Sequence, residues 1–382
     1  MATVQSSSQS WDIFCKVVDN YGDAGVCWRL ARMLHAEHGL HVRLWIDKPD
    51  ALRALYPGLD PALAEQQTAG IIVRRWDPGA ATAVEGVAVV IEAFGCGLPD
   101  DYLTAMAARP KPPLWIVLEY LSAEEWVDTH HALSSPHPRL SVPRFFFFPG
   151  FTASTGGLLR EQDLLARRDA FGHEQKRRFW NSLGFDQPDA LTLSLFCYAD
   201  APIAELLAAL TEGDAPTVVA VPEGAPGPAV NRYFGATLQN KKTRTRGALE
   251  VRSLPFLPQS AYDELLWSCD LNLVRGEDSF VRAQWAEKPM VWQPYIQGDG
   301  AHHRKMQAFL HRYCAGLAPG PAMALAGFWT AWNDRGNVAG AWEALRGKLP
   351  ELGEQARNWA FRQAEMPDLA TQLVRFTRSR VE

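Results

Sequence analysis

The chain has no C-x-x-C pair, no Cys/His cluster at metal-ligand spacing, no H-E-x-x-H and no D-x-D. Its six cysteines, Cys15, Cys27, Cys96, Cys197, Cys269 and Cys314, are scattered, most of them within apolar runs. That pattern predicts buried free thiols in a reducing compartment, not a disulfide framework, and gives no support to a bound metal. A surplus of basic charge is also missing: 38 Lys and Arg stand against 43 Asp and Glu, a formal charge of −5, so there is no electrostatic footprint for nucleic acid. The densest basic run, Lys241–Arg246, reads as a solvated loop. No apolar run approaches the ~20 residues needed to span a bilayer. Met1–Ser10 lacks both the basic and the apolar region of a secretory signal. A cytoplasmic protein with no membrane partner is expected. The absence of G-x-S-x-G and of a P-loop counts against a serine hydrolase and an NTPase. Gly22-Asp23-Ala24-Gly25 does not fit G-x-G-x-x-G, which leaves a nicotinamide dehydrogenase unsupported.

What is present is a globular composition, 47% hydrophobic and 21% charged, in 382 residues, enough for two domains with separate cores. The fourteen tryptophans sit mostly in periodic apolar segments, where core packing accounts for them. In the first half, strand-like Trp11–Val18, His41–Asp47, Gly70–Trp76, Val87–Phe94 and Pro113–Tyr120 alternate with helix-like Val26–His38, Pro49–Leu55 and Pro99–Ala108. The strands are nearly continuous in Val, Ile, Leu and Phe, as strands of a parallel sheet covered on both faces must be. Phe145–Phe148 reads as a last buried strand closed by Pro149-Gly150. Charged helices over Gly156–Asp186 lead to a second alternation. Its strands are Ala190–Tyr198, Thr217–Pro222, Leu249–Leu254 and Asp270–Val274, with helices Pro202–Thr211 and Ala261–Ser268 between them. Glu223–Arg246 reads as a variable loop with one short helix, and the C-terminal segment as helical. The predicted fold class is α/β, two Rossmann-like domains and a helical tail.

Two stretches carry the chemistry. Asp19-Asn20-Tyr21-Gly22-Asp23-Ala24-Gly25 follows the first strand and precedes a helix expected to begin near Val26. The glycines allow a tight turn and close approach to a ligand, and two carboxylates ride on that turn at the carboxyl end of a strand, where open α/β sheets bind ligands. The alternative is an acidic turn that only caps the next helix. The second stretch is Arg275-Gly276-Glu277-Asp278-Ser279, after the apolar strand ending at Val274. Ser279 is expected to cap the helix Phe280–Glu287. Such a helix N-terminus binds phosphate, Arg275 can add a guanidinium fork, and Glu277 can accept from a ribose hydroxyl. The alternative there is a capped helix with exposed acids. At two further strand exits, Phe196-Cys197-Tyr198 and Phe256-Leu257-Pro258-Gln259 place aromatics that can stack on a base, with Gln259 able to read its edge; core packing is the competing explanation. The pairs His130-His131 and His302-His303 point in different directions on a helix and are poor ligand pairs.

Taken together, Asp19–Arg32 and Arg275–Trp285 resemble the EarP family, the protein-arginine rhamnosyltransferases of bacterial elongation factor P, and the resemblance extends from Trp11 to the helical tail. It implies a GT-B glycosyltransferase whose two Rossmann-like domains face each other across a cleft. It implies transfer of L-rhamnose from dTDP-β-L-rhamnose to one arginine of elongation factor P, with inversion and without metal or cofactor, so that the factor relieves ribosomes stalled on proline runs. By this resemblance the catalytic residues are Asp23, Asp19 and Glu277. The donor-site residues are Asn20, Tyr21, Gly22, Phe196, Tyr198, Phe256, Gln259, Arg275, Gly276, Asp278, Ser279 and Tyr295. Residues 1–165, joined by the C-terminal helix 355–382, are expected to take the acceptor, and residues 175–354 the donor. Two other readings remain open on the residues: a transferase of the same architecture acting on a small-molecule or lipid acceptor, and a non-catalytic partner of a translation factor that keeps the fold.

Overall fold

The computed structural model describes residues 10–19, 21–76, 84–138, 140–296, 298 and 300–381. The chain divides into two units, residues 1–162 with 363–382 and residues 163–362.

The first unit contains β1 (Ser10–Cys15), α1 (Gly22–Ala36), β2 (His41–Ile46), α2 (Pro49–Leu55), β3 (Glu65–Thr68), β4 (Ile71–Arg75), β5 (Val87–Ala93), α3 (Asp100–Ala107), β6 (Leu114–Leu118), α4 (Trp126–His130), β7 (Ser134–Pro136) and β8 (Pro143–Phe147). Its sheet runs β3-β4-β2-β1-β5-β6-β8-β7. The six interior strands pair in parallel, and both edge strands, β3 and β7, pair antiparallel. Every residue of β1 from Trp11 to Cys15 is buried, because helices cover both faces of a parallel sheet. On one face Phe14, Trp45, Tyr102, Met106 and Trp115 form a common core, with Phe14 stacked on Trp45 at 5.5 Å.

The second unit contains α5 (Leu164–Asp169), α6 (His173–Ser182), β9 (Leu191–Leu195), α7 (Ile203–Thr211), β10 (Thr217–Pro222), α8 (Gly227–Phe234), β11 (Thr243–Arg246), β12 (Leu249–Leu254), α9 (Gln259–Ser268), β13 (Leu271–Arg275), α10 (Asp278–Trp285), β14 (Met290–Gln293), α11 (Ala301–Cys314), α12 (Pro319–Asp334), α13 (Val338–Arg346) and α14 (Leu349–Ala364). Its sheet runs β11-β12-β10-β9-β13-β14, parallel except for the edge strand β11. The last helix, α15 (Leu369–Val381), belongs to the first unit. There the Leu369 N–H donates to the Leu158 carbonyl at 2.9 Å and Phe376 packs edge-on against Phe145.

Three expectations need correction. The helix predicted from Val26 begins at Gly22, so Gly25 is helical and donates to the Tyr21 carbonyl at 2.8 Å in the first turn. The basic run at Lys241–Arg246 is largely a strand: Thr243–Arg246 pairs with Leu249–Arg252 across a hairpin, its exposed side chains suiting a solvated edge. Within Glu223–Arg246, α8 is the short helix expected there, and β11 is a strand that was not. Among the described residues no helix is long and apolar enough to cross a membrane.

Candidate active site

In both sheets the chain order reverses beside the first strand of the unit. β2 and β4 lie on one side of β1 and β5 on the other; β10 and β12 lie on one side of β9 and β13 on the other. Ligands of open α/β sheets bind outside the carboxyl ends of the strands at such a reversal. The turn bearing Asp19 and Asp23 leaves β1 there, and at the equivalent place Tyr198 follows β9, Arg275 ends β13 and Gly276–Ser279 follow it.

In the first unit Asp19 and Asp23 are 6% and 2% exposed. Asp23 stands in the first turn of α1 and reaches back over the turn. Its Oδ2 accepts from the backbone N–H of Val18 at 2.7 Å and of Asp19 at 2.9 Å, and its Oδ1 from the Tyr120 hydroxyl at 3.3 Å. Burial pushes the Asp23 carboxyl above its usual range; the two N–H donors and Tyr120 oppose that shift, and neighbouring Asp19 adds to it. Gly22 donates to the Asp19 carbonyl at 2.7 Å, and a Cβ at position 22 would lie 2.9 Å from an Asp19 carboxylate oxygen, so a larger residue there would displace that side chain. Tyr21 precedes the helix without a side-chain capping bond. Asn20 lies outside the described residues.

Two supports of this turn have no sequence signal near it. Tyr120, just beyond β6, stacks at 4.3 Å on Phe94, which follows β5 with φ at +59°, a conformation strained for a residue with a Cβ. The β2–α2 connection grips the other end: Asp47 accepts from the Val17 N–H at 2.8 Å, and Lys48 donates to the Val17 carbonyl at 2.8 Å.

In the second unit the Arg275 guanidinium lies over two rings, 4.7 Å from the Phe196 centroid and 4.6 Å from that of Tyr198. Tyr295, 45% exposed, meets Tyr198 edge-on at 5.9 Å. Gly276 turns the chain with φ at +62°. Ser279 is not the cap the sequence suggested. Glu277 holds the cap position of α10, and Ser279 sits in the first turn, where its hydroxyl donates to the Arg275 carbonyl and accepts from the Arg275 N–H at 3.2 Å. The serine thus ties the turn to its own strand end. Gln259, at the start of α9, donates to Asp278 at 3.3 Å, and half-buried Phe256 follows β12. Sequence reasoning passed over β14, whose last two residues brace the site. Gln293 accepts from the Tyr198 N–H at 2.8 Å, and the Trp292 indole donates to the Gly276 carbonyl at 2.6 Å. Among the described residues no group of three or more His, Cys, Asp or Glu side chains is placed to hold a metal ion.

Phe196, Tyr198, Arg275, Gly276, Ser279 and Tyr295 are thus brought together in the second unit, with Gln259 joined to Asp278, while Asp19, Tyr21, Gly22 and Asp23 belong to the first. Chemically, the first unit offers a buried acceptor of protons and cations, and the second an arginine lying over two aromatic rings beside a helix N-terminus.

Two Rossmann-like units, each with its polar turns at the reversal of its sheet, define a glycosyltransferase of the GT-B class. A solved glycosyltransferase of Rickettsia africae has this fold, with a TM-score of 0.55 at 9% identity over 97% of this chain and 98% of its own. The chain belongs to the EarP family: the model of the elongation factor P (EF-P) rhamnosyltransferase EarP matches residues 11–378. The protein-arginine rhamnosyltransferase of Pseudomonas putida KT2440 is 52% identical over 97% of this chain and 99% of its own length. A structure solved as the basis for EarP-mediated arginine glycosylation of translation elongation factor EF-P superimposes with a TM-score of 0.70, at 40% identity over 97% of this chain and 99% of that one. The chain is accordingly an enzyme, a protein-arginine rhamnosyltransferase.

Proposed function

We propose that this enzyme transfers L-rhamnose from dTDP-β-L-rhamnose to one arginine side chain of elongation factor P in the cytoplasm, in a single inverting displacement, and so activates the factor for rescue of ribosomes stalled on proline runs. The observation that carries the proposal is the pair of buried carboxylates, Asp19 and Asp23, on one turn at the end of β1. Arginine is a poor nucleophile, because its charge is delocalised and its pKa lies above about 12. A catalyst must therefore orient the guanidinium and take its proton as the bond forms.

In the mechanism, Asp19 binds the guanidinium by paired N–H···O bonds. Asp23 is the base, and its raised pKa makes it a better proton acceptor than an exposed carboxylate. A guanidinium nitrogen attacks the anomeric carbon, the bond from that carbon to the diphosphate oxygen breaks, and the proton passes to Asp23. The leaving diphosphate needs no acid. Arg275 and the N-terminus of α10 stabilise its charge, Phe196, Tyr198, Phe256 and Tyr295 enclose the nucleotide with Gln259 at the base edge, Ser279 and Asp278 hold the turn, and Glu277 accepts from a sugar hydroxyl. Residues 1–165 with the C-terminal helix take the protein acceptor, residues 175–354 the donor, and no metal or cofactor takes part.

Incubating the enzyme with dTDP-β-L-rhamnose and elongation factor P should add one deoxyhexose to the factor by intact-mass spectrometry. Donor consumption with no gain on the factor would point instead to a small-molecule or lipid acceptor.

Phe256→Ala should raise the donor KM about tenfold, since an aromatic stacked on a base contributes ~1–3 kcal/mol, with much of the rate recovered at saturating donor. Unchanged donor affinity would remove Phe256 from the site. Tyr120→Phe deletes a hydrogen bond that favours the Asp23 carboxylate, so the Asp23 pKa rises further. The acid limb of kcat should move to higher pH, with less than about a tenfold loss at neutral pH, because a lone bond of 3.3 Å contributes little. An acid limb that stays put or moves down would remove Asp23 from the role of base.

A further inference from the structure

The polar turns lie at the carboxyl ends of the strands, yet the first unit has a cavity of about 860 Å³ at the opposite rim, where its strands begin. Ser10, His41, Ile72, Val87, Leu114 and Pro143, each at or beside the start of an interior strand, line it. Its walls are largely apolar. Its charge is all of one sign: Arg43, Arg109, Lys111 and Arg380 line it, and no Asp or Glu does among the described residues.

These cations are placed by different parts of the chain. Arg43, at the floor, forms a two-pronged ion pair with buried Asp12 at 2.5 and 2.7 Å and is neutralised there. One guanidinium nitrogen of Arg109 donates to the carbonyls of Val84 and Val87 at 3.1 and 2.5 Å, which fixes its head without any carboxylate. Arg380 comes from the far end of the chain on α15 and lies 5.0 Å from the Phe145 ring and 5.4 Å from the Phe376 ring. Cations gathered over apolar walls, with no carboxylate among the lining residues described, favour an anion, and the volume lies in the range of small-molecule sites.

We propose that this cavity binds an organic anion, a flat apolar body of about nucleotide size carrying a phosphate, sulfonate or carboxylate. The apolar group lies along the starts of β4, β5, β6 and β8, and the anionic group meets Arg109, Lys111 and Arg380. The site is separate from the turns at the carboxyl rim, and the last helix of the chain completes it.

The test is a fluorescence titration of the full chain with anilinonaphthalene sulfonate, in saturating dTDP to occupy any nucleotide site of the second unit. One saturable site, weakened by added salt, is expected. Lys111→Gln with Arg380→Gln, both on exposed positions, should weaken it by at least about tenfold, the value of one charge-assisted hydrogen bond, with the cooperative thermal transition retained. In hydrogen-exchange mass spectrometry the probe should slow exchange over residues 109–114 and 141–145. Absence of a saturable site, an affinity in the double variant within about twofold of wild type, or unaltered exchange in those segments would overturn the proposal.

Discussion

Asp23→Asn is expected to lower turnover by about 10²–10⁴-fold, the usual contribution of a positioned proton acceptor, with donor binding and fold retained. The substitution separates charge from structure unusually well at this position. The introduced amide oxygen can accept from the Val18 and Asp19 N–H groups, as Oδ2 now does, while the amide nitrogen donates toward the Tyr120 oxygen. All three contacts that shape the turn then persist, and only the negative charge and the basic lone pair go. The effect on stability has a definite sign. Because burial raises the Asp23 pKa in the folded chain, its ionisation opposes folding. That cost begins as pH rises through the ordinary carboxylate range and is complete above the raised value. The variant should therefore be as stable as wild type or more so at neutral pH. Single-turnover kinetics at saturating donor, beside a thermal melt, decides the matter: a chemical step within about threefold of wild type would assign the proton to another group.

Asp263→Ala is expected to cost about 3–5 kcal/mol, the penalty for breaking a buried ion pair from one side. Asp263 of α9 and Arg282 of α10 are each 2% exposed and joined by two bonds of 2.8 and 2.7 Å. Removing the carboxylate leaves a guanidinium enclosed between two helices without the two bonds that tie it to α9. The first residues of those helices, Gln259 and Asp278, are themselves hydrogen-bonded, so the loss reaches the donor-side turn. Hydrogen exchange over residues 259–285 should lose about two to four orders of magnitude of protection, and donor affinity should fall with it. Asp263→Leu together with Arg282→Met should recover most of the protection, because no charge is then left buried. If Asp263→Ala exchanges like wild type, the pair does not hold α9 to α10.

Several features of this protein follow from its sequence alone. The continuous apolar strands and intervening helices are local, periodic signals, and they determine two doubly wound sheets. The turns at Asp19–Gly25 and Arg275–Ser279 are legible because glycine, carboxylate and arginine are unusual just beyond a buried strand. Element ends were less legible. Gly25 reads as a turn residue, yet once Gly22 has closed the turn on Asp19 nothing prevents the helix from starting there; Ser279 reads as a cap, yet it serves the strand behind it. The edge strands β3, β7 and β11 are three or four residues long and largely exposed, so they lack the apolar periodicity that reveals a strand.

What only the tertiary structure decided is which distant groups stand behind these turns. Tyr120 reaches Asp23 across 97 positions, and Gln293 reaches the Tyr198 N–H across 95. Arg380 shares a cavity with Arg109 only because α15 packs on the first unit. None of these residues carries a local signature, since its role depends on strand order, and strand order is settled by burying every interior strand at once, a condition on the whole chain and not on any window of it.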